Sequence, residues 1–241
     1  MISELDVSAA GESNMPRLRS FCLLSMLSVL TLFYATSALA ADNSSGYPTP
    51  SPYPVSWELK FTHGIPKRIA VSVPNSPSPV AYWYMTFTVT NTGDKEQTFL
   101  PQFEMLTDNG HAVRSDVNIP QRVFEAIKSA EHDKYLEPIS AVTGQIRLGE
   151  AEARDSVAIW PETLPRMGHF PIFVTGLSGE AVILKLVNGQ YQKVDQAQDM
   201  KDLKDLVILR KTLQLNFFIR GDEVYPGEDE VNQKDEEWIM R

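Results

Sequence analysis

The sequence predicts a mainly β protein: an antiparallel β-sandwich with one or two short inserted helices. Three observations carry this. From Ala81 to Thr90, Trp83, Met85, Phe87 and Val89 alternate with Tyr82, Tyr84, Thr86, Thr88 and Thr90, the period of two of a strand with one buried face. Asn109-Gly110 and Asn188-Gly189 are each placed to turn one strand back on another, because Asn-Gly accepts the positive φ angles of a type I′ hairpin turn. Further runs with β-branched and aromatic residues recur at short spacing, about eight to ten strands in all, which favours a sandwich. A closed barrel is the alternative; one-faced alternation and uneven strand lengths argue against it.

Residues 1–40 read as a signal segment. Phe21 to Ala40 carries no charge, follows Arg17 and Arg19, and ends in Ala38-Leu39-Ala40, a small-x-small cleavage pattern that puts the cut before Ala41. Glu4, Asp6 and Glu12 fit badly ahead of such a segment, whereas a start at Met15 gives a complete signal peptide. An uncleaved anchor is the competing reading, since about 20 apolar residues can cross a bilayer. The polar Asp42-Asn43-Ser44-Ser45 that follows favours cleavage, hence an exported chain, periplasmic or extracellular, with no stable membrane span. Cys22 is the only cysteine and departs with the signal, so the mature chain has no thiolate ligand, cysteine nucleophile or internal disulfide.

Residues 41–54 form a linker with Pro48, Pro50, Pro52 and Pro54 at every second position, favouring an extended tether. The folded domain spans residues 55–220. Trp57, Leu59 and Phe61 alternate up to His63-Gly64, and Arg68 to Val73 makes a second strand before the prolines at 74, 77 and 79. After the central strand, Asn91-Thr92-Gly93-Asp94 breaks the pattern, and Phe99, Phe103 and Met105 continue it. Val123, Phe124, Ile127 and Ala130 then recur at helical spacing behind Pro120, placed as the first helical residue. This helix crosses from one part of the sheet system to another. Strands resume at Val142 to Leu148, Ser156 to Trp160, Phe170 to Val174, Val182 to Leu186 and Tyr191 to Val194. Asp195 to Leu206 reads as a short helix, and Leu209 to Arg220 as the last long strand, with Leu213, Leu215, Phe217 and Ile219 facing in.

Residues 221–241 read as an acidic C-terminal tail. Eight acids against Lys234 and Arg241 place −6 of the formal −9 charge there. The nearly neutral body has no basic stripe, which argues against nucleic acid and anionic membrane surfaces as partners. The tail could offer oxygen ligands to calcium but lacks the D-x-D-x-D-G order of a dedicated loop, so a solvated tail is expected. Trp238-Ile239-Met240 is an apolar end that could dock onto the sheet or a partner.

Val89 to Gly93 (V-T-N-T-G), Phe99 to Leu106 and Asp108 to Gly110 together resemble the immunoglobulin-like modules of exported bacterial proteins, over about half the mature chain. Gly149-Glu150 looks like their continuation; the helix behind Pro120 and the final segment depart from them. The resemblance implies a module that binds, spaces or presents, and it transfers no catalytic residue.

Candidate chemistry is sparse. Gly176-Leu177-Ser178-Gly179-Glu180 approaches the G-x-S-x-G nucleophile elbow but ends in Glu180 and lacks the strand–helix order that seats one; a turn is expected. His63, His111, His132 and His169 show no metal-ligand spacing. Met167 and His169 pair a thioether with an imidazole, as a soft metal prefers, and the fold would have to supply His111 or Met105. Tyr82, Tyr84 and Trp83, with Tyr47 and Tyr53, suggest sugar stacking; the competing expectation buries Trp83 and sets the tyrosines on an outer face. The leading expectation is a non-enzymatic binding or structural module without cofactor. It would meet a protein or cell-envelope component through a sheet face or the loops at Asn91–Asp94 and Asp108–His111. Its alternatives are a small periplasmic metal-binding protein and a carbohydrate-directed binder or enzyme.

Overall fold

A computed structural model describes residues 47–74, 76–163, 167–194, 206–220 and 230–241. The signal segment, residues 41–46 of the linker, residues 195–205 of the expected second helix and the acids from Asp222 to Asp229 lie outside them. From Pro48 the chain forms one unit. It is mainly β, with several antiparallel sheets and few helices.

The strands follow in order: β1 (Lys60–His63), β2 (Lys67–Val71), β3 (Val80–Thr90), β4 (Gln97–Phe99), β5 (Gln102–Leu106) and β6 (Ala112–Arg114). Helix α1 (Gln121–Glu131) leads to β7 (Glu137–Pro138), the single turn α2 (Ile139–Val142), β8 (Gly144–Ile146) and β9 (Arg154–Pro161). Then come β10 (His169–Thr175), β11 (Ala181–Val187), β12 (Gln190–Lys193), β13 (Leu206–Ile219) and β14 (Val231–Met240).

Strand β3 holds a five-stranded sheet together. Its two halves pair with β1 and β2 along one edge, and β9 pairs along the other, followed by β7. Strand β13 does the same for a seven-stranded sheet: β11 and β10 lie along it, β5 and β6 continue beyond β10, β12 pairs with β11, and β14 takes the remaining edge. The two sheets share one core. Trp83, Met85, Phe87 and Val89 of β3 meet Phe103, Phe170, Leu215 and Phe217 of the other sheet. Ring centroids lie 4.9 Å apart for Phe87–Phe103 and 5.8 Å for Trp83–Phe170. Edge-on and offset contacts of this kind add to the burial of so many rings.

The alternation of β3 has a consequence the sequence pattern does not show. Tyr82 and Tyr84, expected on an outer face, are 5% and 4% exposed. Val123 and Ile127 of α1 pack on them together with Leu136, Val157 and Ile159, making a second cluster on the far side of the sheet. Helix α1 does run from the seven-stranded sheet to the five-stranded one. Pro120 caps it instead of occupying its first turn.

Other expectations shift in detail. Val142 is the end of a helical turn, and only Gly144–Ile146 of the expected Val142–Leu148 strand is extended. Asn188 and Gly189 both have positive φ, as a type I′ turn requires. In the first hairpin only Gly110 does, at +79°, while its N–H donates to Thr107 O (2.8 Å) and Thr107 N–H to His111 O (2.9 Å). That is a type I turn closed by a glycine bulge, so Asn109 needs no left-handed backbone. The end of the chain, read as a tail, is a ten-residue strand: β14 pairs with β13 from Lys211↔Met240 to Ile219↔Val231, with a register shift at Asn216/Phe217. Met240 is 2% exposed, and Trp238 packs on the shared core.

Candidate functional site

The two sheets differ in what lies on their outer sides. Helix α1 covers the five-stranded sheet; among the described residues no helix packs on the seven-stranded one. Along β13 the odd positions from Leu213 to Ile219 face the core, so Thr212, Gln214, Asn216 and Phe218 face outward. In register beside them stand Phe173, Pro171 and His169 of β10, and Glu237 and Asp235 of β14.

At the register shift this outer side is hollowed into a shallow cleft of about 420 Å³ that includes His169, Gln214, Asn216, Lys234, Asp235 and Glu237. A bulge leaves one residue of a strand unpaired and re-aims its side chain. Here Lys234 falls between the pairs Asn216↔Asp235 and Phe217↔Gln233. The cleft's polar groups are oriented by one another. Gln214 Nε2 donates to Asn216 Oδ1 (3.0 Å), and Asn216 Nδ2 donates to Asp235 Oδ1. Lys234 Nζ stands 3.7 Å from Asp235 Oδ2. Among the described residues, the side chains of His169 and Glu237 have no hydrogen-bond or ion-pair partner. Acceptors and negative charge dominate, so the cleft favours hydroxyl or amine donors over anions.

The chain matches no protein-family model, no curated protein and no solved structure. Function therefore rests on the chain's own geometry.

The residues singled out in the sequence are distributed as follows. Asp108 Oδ2 accepts from Gly168 N–H (2.6 Å), so the turn carrying His111 lies against the loop carrying Met167 and His169. Yet Met167 is 2% exposed and belongs to the shared core, as does Met105, while His111 and His169 are exposed. No group of three or more His, Cys, Asp or Glu converges on a common point among the described residues. His63 bridges the sheets: its Nδ1 lies 2.9 Å from Gly64 O and its Nε2 3.4 Å from Glu236 Oε2. His132 ends α1 in a left-handed conformation. Of the stacking candidates, Trp83 is core and Tyr82 and Tyr84 are under α1, leaving Tyr47 and Tyr53 exposed.

The Gly176–Glu180 run is a turn with two steric demands. Gly176 has φ +88°, and a Cβ there would lie 2.5 Å from Leu100 O. Gly179 passes under Ser56 and Trp57, where a Cβ would overlap both side chains. Ser178 Oγ accepts from Glu180 N–H (3.1 Å). Glu180 Oε1 accepts from Ser51 N–H (2.8 Å), and Lys211, 3% exposed, lies 3.1 Å from Glu58 Oε2, 3.5 Å from Glu180 Oε2 and 4.9 Å from the Trp238 ring. Burial works to raise the Glu180 carboxyl; the Ser51 N–H and the Lys211 ammonium overcome it and hold the group below the ordinary carboxylate range. The cluster ties the proline-rich segment, the turn and β14 together.

Sequence reasoning missed Gln214, Asn216, Asp235 and Glu237. One signal was available: Thr212, Gln214 and Asn216 alternate with Leu213, Leu215 and Phe217, so one side of β13 is polar. The contribution of β14 had no such signal, because its acids read as tail.

Proposed function

We propose that this chain is an exported, non-enzymatic binding or structural module built on an immunoglobulin-like sandwich, and that it meets its partner through the outer side of the seven-stranded sheet. The observation that carries the proposal is the asymmetry between the sheets: one outer side is roofed by α1, the other presents an oriented polar cleft. A structural filler would gain stability by covering both sides. The immunoglobulin-like reading is supported by the resemblance at Val89–Gly93 and Asp108–Gly110 and by two sheets sharing an aromatic core; α1 and the parallel pair β7–β9 depart from it.

The test compares charge reversal on the two sides. Asp235→Lys with Glu237→Lys should abolish retention of the protein by envelope material, and Glu125→Lys on α1 should leave it unchanged. Equal retention by both variants would reject the open side as the contact surface. The metal reading has the Asp108–Gly168 contact in its favour and the burial of Met167 against it. A stoichiometric transition metal lost in His169→Ala, measured by elemental analysis, would promote it.

A further inference from the structure

The nature of the partner follows from the groups the cleft leaves unsatisfied, given that the open side is the binding side. Gln214 spends its amide N–H on Asn216 and keeps its carbonyl oxygen; Asp235 gives Oδ1 to Asn216 and has Lys234 Nζ 3.7 Å from Oδ2; the side chains of Glu237 and His169 are unpaired among the described residues. Asn216 is 7% exposed, so the ladder Gln214–Asn216–Asp235 is fixed before any ligand arrives. Such a set suits a ligand with several hydroxyl groups, because each hydroxyl can both donate to a carboxylate and accept from an amide or ammonium. Asp235, Glu236 and Glu237 against Lys234 disfavour phosphate and carboxylate ligands. A divalent cation would need six or more converging oxygens, and Asp235 is already committed to Asn216. Pro171 stands in the same outward row beside Asn216, at the edge of the cleft, while the neighbouring Phe218 ring already carries the Arg220 guanidinium 5.6 Å from its centroid. A cleft of about 420 Å³ is of the size that takes a small ligand or a short piece of a longer one.

We propose that this cleft is a glycan-binding site for uncharged sugar units of a polysaccharide, held by Gln214, Asp235 and Glu237 on the scaffold of Asn216, with Lys234 and His169 at its margins. No bond is made or broken. The test is calorimetric titration of the full chain with cellopentaose, chitopentaose and maltopentaose. At least one should bind, and Gln214→Ala and Glu237→Ala should each weaken that binding about 5- to 10-fold, as loss of one or two hydrogen bonds implies. Both positions are at the surface of the cleft, so a thermal melt should find the variants folded; Glu125→Gln on α1 is the silent control. Absence of binding by all three oligosaccharides to folded protein overturns the glycan site. So does binding that survives both substitutions, or displacement by spermidine at equal concentration, which would make the cleft an amine site. If the oligosaccharides fail while Asp235→Lys with Glu237→Lys still abolishes envelope retention, the glycan assignment falls and the binding-module reading stands. If that double variant changes nothing, both fall.

Discussion

Asp116 sits in the turn after β6 with φ +60°, its N–H donating to Ile159 O (2.7 Å) and its Oδ2 buried without a partner. Burial pushes its carboxyl from 3.8 up to about 6, against the opposing pull of hydrogen bonds from Ser115 and at Ile159. The folded state therefore holds this proton more tightly than the unfolded chain. Stability from this group is complete below about pH 4 and is lost as pH rises to about 6, after which the deficit is constant. Two pH units correspond to about 2–3 kcal/mol. Asp116→Asn, which tolerates the left-handed backbone, should stabilise the protein by that order at pH 8 and change little at pH 4, as urea unfolding at the two pH values will read. Equal shifts at both would assign the effect to packing. Gly176 makes an opposite demand: its φ of +88° and the nearby Leu100 carbonyl leave no room for a side chain. Gly176→Ala should cost about 2–4 kcal/mol, the sum of left-handed strain and a backbone clash, whereas Gly189→Ala, with open space around it, should cost only the strain.

At the scale of elements, the sequence disclosed what is local and hid what is remote. The inward set of β3 was readable because period-two alternation fixes which side each residue takes. What covers the other side was not readable, since Tyr82 and Tyr84 look the same whether water or Ile127 lies above them. The hairpin turns show the same limit. Asn-Gly announces reversal at both sites, but the loop geometry between Thr107 and His111 decides whether Asn109 must leave the right-handed region, and it does not. The last strand was the least legible. Local charge makes Glu228 to Glu237 look solvated, and only the apolar trio at 238–240 hints at the partner strand that orders Val231–Met240. The candidate cleft shares that fate, because half of it stands on β14. Two predictions follow from these remote contacts. Ile127→Ala, at a position with no exposure, should cost about 2–5 kcal/mol and speed hydrogen exchange on the outer side of β3. Trp238 packs on the core and under the Lys211 ammonium. Trp238→Ala should cost about 2–3 kcal/mol and open residues 231–241 to limited proteolysis; a protected segment would mean that backbone pairing alone holds β14.

For the unit as a whole, the central question is whether its two clusters melt together. The shared core and the cluster beneath α1 lie on opposite sides of β3 and β9, so adjacent residues such as Tyr84 and Met85 serve one each. Neither strand can stay formed with only one side packed, because both sides of each are buried for most of their length. Ion pairs add ties between remote segments: Lys67 and the Tyr84 hydroxyl both donate to Glu131 (2.8 and 2.7 Å), anchoring the end of α1 to β2 and β3. With a single cysteine, the chain has no internal crosslink, and reductant should leave its melting unchanged. Far-UV circular dichroism and the fluorescence of Trp83 and Trp160, both buried in the shared core, should therefore report one coincident transition. Phe103→Ala strikes the shared core and Ile127→Ala the roofed cluster, each at a site with no exposure. Their costs should add in the double variant, since the two side chains belong to separate clusters on opposite sides of the sheet, while the two probes continue to superimpose. Separation of the curves in Ile127→Ala, with helix signal lost before tryptophan fluorescence shifts, would show that the roof opens on its own and that β3 does not couple its two sides.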